Sequence, residues 1–261
     1  MPFEDILYEK REGIATIAIN RPQVLNAFRA RTVEEMTEAF RDAEADDEIG
    51  VIVLTGVGPR AFSSGGDQAK KEGGYGGRGL TGMPIEELHD AIRDTRKPVI
   101  AKVRGYAIGG GNVLATLCDM TIASDTAQFG QAGPRVGSVD PGWGTAYLAR
   151  VVGEKKAREI WYLCRRYNAA EALAMGLVNK VVRDADLDAE VEAWCREILA
   201  LSPTAIAVAK RSFNADSEGI RGIGHSGQEA LALYYKTAES HEGVNAFNEK
   251  RKADFRRARS R

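Results

Sequence analysis

Gly105-Tyr-Ala-Ile-Gly-Gly-Gly-Asn-Val-Leu114 is the stretch on which the fold turns. An apolar run from Pro98 to Val103 leads into it, and Val113, Leu114 and Leu117 continue it at helical spacing. Strand, glycine turn and helix, in that order, aim free backbone N–H groups at a ligand. The first turn of a helix has unpaired donors, and the dipole makes that end positive. Glycine lets a ligand atom come close to the main chain. A second such turn, Phe62-Ser-Ser-Gly-Gly-Asp67, follows the apolar run Val51 to Leu54. Two turns after two strands place two N–H donors around one oxygen. That is an oxyanion hole, suited to a reaction that builds negative charge on a carbonyl oxygen. Taken alone, each turn also reads as a plain strand-to-helix connection. Neither has the Lys-Ser/Thr ending of a P-loop or the spacing of a dinucleotide fingerprint.

Outward from these turns, short β-rich runs alternate with helical patterns. Ile14 to Ile19, Val51 to Leu54, Pro98 to Val103 and Met120 to Ala123 are strand candidates. Arg31 to Asp46 reads as a helix with Val33, Met36 and Phe40 on one face, and Pro84 to Thr95 as another. The alternation predicts an α/β fold with parallel pairing. From Gly144 onward the pattern is helical: Glu154 to Arg165, Ala169 to Met175, Leu187 to Leu201, Pro203 to Asn214 and Ser226 to Ala238. Ser202-Pro203 reads as an N-cap with proline at the first helical position. Lys70 to Gly82 and Ser217 to Gly227 are rich in glycine and charge and are expected to be mobile loops, the first a lid. The expected division is a core over 1–200 and a helical region over 201–261.

Composition narrows the function. The 261 residues carry a formal net charge of −1, so nothing global favours nucleic acid. The tail, Lys250-Arg-Lys and Arg256 to Arg261, is locally basic: either a solvated terminus or a phosphate-binding end. Cys118, Cys164 and Cys195 are odd in number and far apart, with no metal-ligand spacing. A reducing cytoplasm is the expected setting. No signal peptide is evident at Met1-Pro-Phe-Glu-Asp, and no apolar run is long enough to span a membrane.

Several motifs together resemble the crotonase (enoyl-CoA hydratase/isomerase) superfamily over nearly the whole chain. They are Asn20 to Phe28, Ala61 to Asp67, Lys97 to Ala101, Gly105 to Gly111, Phe129-Gly-Gln131 and Ala174 to Val178. The resemblance implies a spiral of ββα units with a C-terminal helical region, assembled as trimers or dimers of trimers. It implies an acyl-CoA substrate whose thioester carbonyl accepts from the N–H groups of Gly66 and Gly110. Coenzyme A enters as part of the substrate, and no further cofactor, metal, nucleic acid or membrane partner is implied. A hydratase carries two glutamates, and the matching positions here hold Val113 and Gly133. Neither side chain moves a proton, so simple hydration is not expected.

Gly137-Ser-Val-Asp140 instead resembles two branches of the superfamily: 2-ketocyclohexanecarboxyl-CoA hydrolase, which opens a ring with water, and 1,4-dihydroxy-2-naphthoyl-CoA synthase, which closes one. Asp140-Pro141, Pro84 to Arg93, and Arg78 where the synthase has a loop tyrosine lean toward the hydrolase. Trp143, Val178-Asn179 and Ala246 to Asn248 lean toward the synthase. Entry of Arg78, or of a tyrosine, into the pocket is the discriminator between them. A non-catalytic acyl-CoA or RNA-binding member of the fold is the distant alternative.

On the hydrolase reading Asp140 is the base or proton relay for water, oriented by Ser138, and Tyr235 polarises the ketone or protonates the carbanion. Arg78 supplies a permanent cation to the ring ketone or to the carboxylate that ring opening creates. The resemblance places Ala27, Arg29, Ser64, Asp67, Gln68 and Lys252 at the CoA ester, with Arg29 and Lys252 near its phosphates. It places Gln131, Gly133 and Trp161 around the bicarbonate of the synthase. Each also has a plainer reading: Asp140 as a turn residue, Ser138 as a helix cap, Tyr235 and Trp161 as core, Arg78 as a solvated loop residue.

Overall fold

The computed structural model describes residues 3–70 and 75–259. Strands β1 (Ile6–Arg11) and β2 (Ile14–Ile19) form a hairpin. Glu12 and Gly13 between them both take positive φ, as a two-residue turn of that hand requires. Helix α1 (Ala30–Ala45) buries Val33, Met36 and Phe40 along one stripe. Two-strand steps then recur: β3 (Val51–Gly56) and β4 (Ala61–Ser63) before α2 (Ile85–Asp94), then β5 (Val99–Val103) and β6 (Tyr106–Ile108) before α3 (Gly110–Leu117). β7 (Met120–Ser124) and β8 (Gln128–Gly130) repeat the step. Helices α4 (Leu148–Val152) and α5 (Glu154–Leu163) follow. Then come β9 (Arg166–Asn168), α6 (Ala169–Ala174), β10 (Lys180–Val182) and α7 (Leu187–Leu199). The chain closes with α8 (Pro203–Ala215), α9 (Gly219–Tyr234), α10 (Ala238–Asn248) and α11 (Phe255–Arg259).

Each step gives its first strand to one sheet and its second to another. The sheet orders are β1-β2-β3-β5-β7-β10 and β4-β6-β8-β9. Among the described residues the β1–β2 and β8–β9 strand pairs are antiparallel and the other strand pairs are parallel, as the alternating α/β pattern predicts. β3 shows why its run is continuously apolar. Ile52 and Leu54 face the main core, while Val51 and Val53 face Leu187, Val191 and Cys195 of α7. Phe40, Phe62 and Phe129 are fully buried in the main core, each contributing about 1.5–3 kcal/mol of transfer free energy. Cys118, Cys164 and Cys195 are buried and free.

Polar ties dock the C-terminal helices. The Lys210 ammonium of α8 donates to Asp119 (2.7 Å) and to the carbonyls of Lys97 (2.9 Å) and Ile92 (3.2 Å). Ser202 caps α8 through its hydroxyl, and Pro203 stands at the first turn.

Two sequence expectations change. Ser217 to Gly227 is not a loop, because α9 begins at Gly219 and runs through it. Two of its glycines serve close packing: a Cβ on Gly227 would overlap the Pro141 ring, and one on Gly142 would lie 2.5 Å from the Gly224 Cα, whereas Gly219 and Gly222 face open space. Each helical glycine costs about 1 kcal/mol of helix propensity, and at Gly224 and Gly227 the close packing against Pro141 offsets it. The region after Gly144 is also not all helix, since β9 and β10 each join a sheet there. Of the expected lid, residues 71–74 lie outside the described residues. Residues 75–82 form a tight loop in which the Tyr75 N–H donates to the Thr81 carbonyl and that of Gly77 to Gly82.

Candidate active site

The two glycine turns meet. A Cβ on Gly65 would lie 2.9 Å from the Gly110 nitrogen and 3.0 Å from the Ile108 carbonyl oxygen. Gly65 sits at φ +92° and Gly109 at φ +58°, both in the region that favours glycine. Phe28 pairs beside Gly66: the Phe28 N–H donates to the Gly65 carbonyl and the Asp67 N–H to the Phe28 carbonyl. That pairing passes over the Gly66 N–H. Gly110 is the first residue of α3, so no helical carbonyl reaches its N–H either. Among the described residues neither donor meets an acceptor. Two free N–H groups on touching turns, one at a helix N-terminus, form a site for a growing oxyanion.

The segment from Gly133 to Tyr147 brings a carboxylate to the region. Ser138 donates its N–H to the Gly133 carbonyl, and its hydroxyl bonds that of Tyr235 at 2.7 Å. Ser138 therefore caps no helix; it links the loop to the end of α9. Asp140 accepts from the Gly144 N–H at 3.1 Å. Burial pushes its carboxyl from the usual 3.8 up to about 7, the Gly144 N–H pulls it back, and the nearby Glu86 charge adds to the rise. A carboxylate poised near neutrality suits a general base. Trp143–Tyr147 is a single π-helical turn, a feature often found at functional sites. Behind it, a cavity of about 390 Å³ opens between α2 and α9, lined by His89, Pro141, Trp143 and Gln228.

The remaining expected residues divide into those brought near these turns and those held elsewhere. Gln68 donates to the Gly66 carbonyl at 3.0 Å, and its Oε1 is buried without a partner among the described residues. Asp67 accepts from Arg21 (3.0 Å) and from the Ala69 N–H (3.1 Å). Ala27 is buried, and its carbonyl accepts from Arg21. The Ser64 hydroxyl reaches the Val24 carbonyl at 3.4 Å. Gln131 is 3% exposed, and neither amide atom has a partner among the described residues. A Cβ on Gly133 would lie 2.5 Å from the Ser138 carbonyl oxygen and 2.8 Å from the Trp161 ring. No glutamate side chain fits there. Trp161 is buried, and its indole N–H donates to the Gly144 carbonyl, so it braces the π-helical turn.

Arg29 and Lys252 lie differently. The Arg29 guanidinium is held by Asp5 (2.7 and 2.9 Å) and Glu4 (2.6 Å). Lys252 is exposed just before α11. Arg78 requires a correction. It is not aimed at the pocket: its guanidinium is shared between Glu34 (2.9 Å) and Glu87, and half its side chain is exposed. Two surface carboxylates, one on α1 and one on α2, capture it.

Tyr75 takes the inward position, and sequence reasoning missed it. A Cβ on Gly66 would lie 2.8 Å from the Tyr75 Cζ and 2.9 Å from its Cε1. Its ring meets that of Tyr235 edge-on, with centroids 6.3 Å apart. Asn112 also escaped notice, and His89, which reads from the sequence as a surface or loop residue, is instead buried on α2. Asn112 is fully buried with both amide atoms lacking a partner among the described residues, and the buried His89 Nε2 likewise lacks one.

Comparison with known proteins agrees with this geometry. The family model described as enoyl-CoA hydratase/isomerase matches residues 9–258. An enoyl-CoA hydratase from Mycobacterium avium subsp. paratuberculosis K-10 is 30% identical, over 97% of this chain and 99% of that one, with a TM-score of 0.83. An enoyl-CoA hydratase/carnithine racemase from Magnetospirillum magneticum is 31% identical, over 97% and 96%, with a TM-score of 0.77. A monofunctional enoyl-CoA isomerase from M. smegmatis is 31% identical over 82% of this chain and 94% of that one, with a TM-score of 0.71. The free glycine donors, the two-sheet spiral and these matches lead to one conclusion: the chain belongs to the enoyl-CoA hydratase/isomerase, or crotonase, family of acyl-CoA-processing enzymes.

Proposed function

We propose that this enzyme opens the ring of a cyclic β-keto acyl-CoA with water, converting 2-ketocyclohexane-1-carboxyl-CoA to pimeloyl-CoA. The carrying observation is the half-buried Asp140 carboxyl, poised at about 7, in a site where both hydratase glutamate positions lack an acid. Asp140 takes a proton from water, and the water oxygen adds to the ring ketone. Collapse of the adduct breaks the bond to the α-carbon and leaves a thioester enolate. Its oxyanion lies on the N–H groups of Gly66 and Gly110, each donor of this kind contributing about 3 kcal/mol to the barrier reduction. Ser138 and Tyr235, whose hydroxyls bond each other at 2.7 Å, supply the hydroxyl pair of this reading.

One observation favours a second reading. A tyrosine, not Arg78, packs on Gly66, which is the arrangement expected of naphthoyl-CoA synthase. The hydrolase assignment rests instead on Asp140-Pro141 and on Pro84 to Arg93. The test offers both CoA esters, 2-ketocyclohexane-1-carboxyl-CoA and o-succinylbenzoyl-CoA, and reads the products by mass. A gain of one water on the first supports ring opening; naphthoyl-CoA from the second replaces it with ring closure. Self-association as a trimer or dimer of trimers belongs to the same proposal. Val208, Phe213, Ile223 and Leu233 leave apolar surface exposed on α8 and α9. Light scattering that returns a monomer mass refutes it.

A further inference from the structure

We propose that Tyr75 is a catalytic residue whose phenol delivers the proton that quenches the thioester enolate at its α-carbon. This deepens the ring-opening reading and rests on it for the identity of the substrate.

Three contacts place the phenol. Its ring lies against Gly66, with Cζ and Cε1 only 2.8 and 2.9 Å from where a Cβ on that glycine would stand. Gln68 donates to the Gly66 carbonyl at 3.0 Å and reaches the Tyr75 hydroxyl at 3.4 Å, so one amide spans both. On its far side Tyr75 meets Tyr235 edge-on and by a side-chain hydrogen bond, and the Tyr235 hydroxyl bonds that of Ser138 at 2.7 Å. Gly66 offers its N–H to the thioester oxygen, and only the carbonyl carbon separates that oxygen from the α-carbon. A donor resting on Gly66 is therefore within reach of the atom to be protonated. Burial keeps the phenol protonated at neutral pH by raising its pKa to about 12.

The atoms balance without another reagent. Water gives its oxygen to the ketone carbon and one proton to Asp140. The ketone-carbon to α-carbon bond breaks, its electron pair enters the enolate, and the ketone carbon becomes a carboxylic acid. The α-carbon takes the Tyr75 proton. Tyr75 regains one from Tyr235, and the Tyr235–Ser138 pair is restored by the proton that Asp140 releases. One water is consumed.

The reverse of this protonation is exchange of the α-hydrogen of pimeloyl-CoA with solvent, which requires no ring opening. The experiment incubates saturating pimeloyl-CoA with enzyme in D₂O and reads deuterium at the α-carbon by mass spectrometry. The unaltered enzyme is expected to exchange, and Tyr75→Phe to exchange about 10²-fold more slowly, with Kd for pimeloyl-CoA changed less than about twofold. A merely structural tyrosine would move Kd or leave exchange intact. Exchange at the full rate in Tyr75→Phe overturns the proposal, as does no exchange by the unaltered enzyme. Ring opening is scored separately, by the mass gain on the cyclic ester. Its failure alongside lost exchange in Tyr75→Phe removes the substrate assignment and leaves the proton donor standing.

Discussion

Asp140→Asn should make the protein less active and more stable at once. The structure gives the size of both effects. In the folded chain the carboxyl is raised from 3.8 to about 7 by burial, about three units, and each unit is about 1.4 kcal/mol. A raised acid binds its proton more tightly when folded. Its favourable contribution is therefore complete below the unfolded value and is lost as pH climbs through the folded one. At pH 8 the ionised Asp140 weakens folding by up to about 4 kcal/mol, and by less where the cavity admits solvent. Asparagine keeps an acceptor for the Gly144 N–H at 3.1 Å without the charge. The variant should gain about 2 kcal/mol relative to the unaltered protein between pH 5 and pH 8, which is about 4–8 °C in Tm for a chain of this size. Turnover should fall about 10²–10⁴-fold, as expected when a general base is removed. In the unaltered enzyme kcat/KM should rise with pH and level off above about 7. Thermal melts across pH and ring-opening kinetics measure both. Near-normal turnover, or a stability gap that does not widen with pH, refutes the reasoning.

Gly66→Ala forces a methyl into the Tyr75 ring and displaces one oxyanion donor, so turnover should drop about 10²–10³-fold in a protein that still melts cooperatively. Arg78→Ala removes only a solvent-exposed pairing with Glu34 and Glu87. The melting curve should be unchanged and turnover should fall by less than about threefold; a larger loss in kinetics would restore the cation to the mechanism. Burial depresses His89 to about 3, so it stabilises the fold above its usual 6.5 and that stability drains as pH falls toward 3. Urea melts of His89→Asn should show shallower acid destabilisation between pH 7 and 4.5, by about 2 kcal/mol. Lys210→Met takes the ammonium donor from the Lys97 and Ile92 carbonyls, while Asp119, exposed and still accepting from the Val99 N–H, stays solvated; denaturant melts should show about 1–3 kcal/mol of loss.

Legibility in the sequence followed physical signal strength. β3 opens on a continuous apolar run, and β5 and β7 are mostly apolar around Lys102 and Thr121, because both faces of the larger sheet are covered, and such runs stand out. β4, β6 and β8 span three residues each, too few for any period to show, so the second sheet was invisible except through the family resemblance. α9 hides for the opposite reason: its glycines suggest a loop, and only the approach of Pro141 reveals the use of Gly224 and Gly227. In the candidate site, the turns holding Gly66 and Gly110 stand out as local motifs, whereas Ser138, Asp140 and Tyr235 are singled out through the family resemblance. Tyr75 and Arg78 sit three residues apart on one loop. Which of them turns inward depends on Glu34 and Glu87, residues whose position no local pattern records.

The proposed oxyanion hole is a seam between consecutive turns of the spiral, since Gly66 follows β4 and Gly110 follows β6. Neither turn holds half a site in usable form, because a single N–H does not trap the charge. Assembly of the site therefore waits on docking of two parallel strands far apart in the chain, a slow step by its loop-closure entropy. Activity should appear late in refolding, after most helix has formed, and together with burial of the second sheet. A nascent chain released before β6 has the first donor and no chemistry. The spiral thus ties competence to completion: the enzyme cannot act on a thioester until its own core has closed.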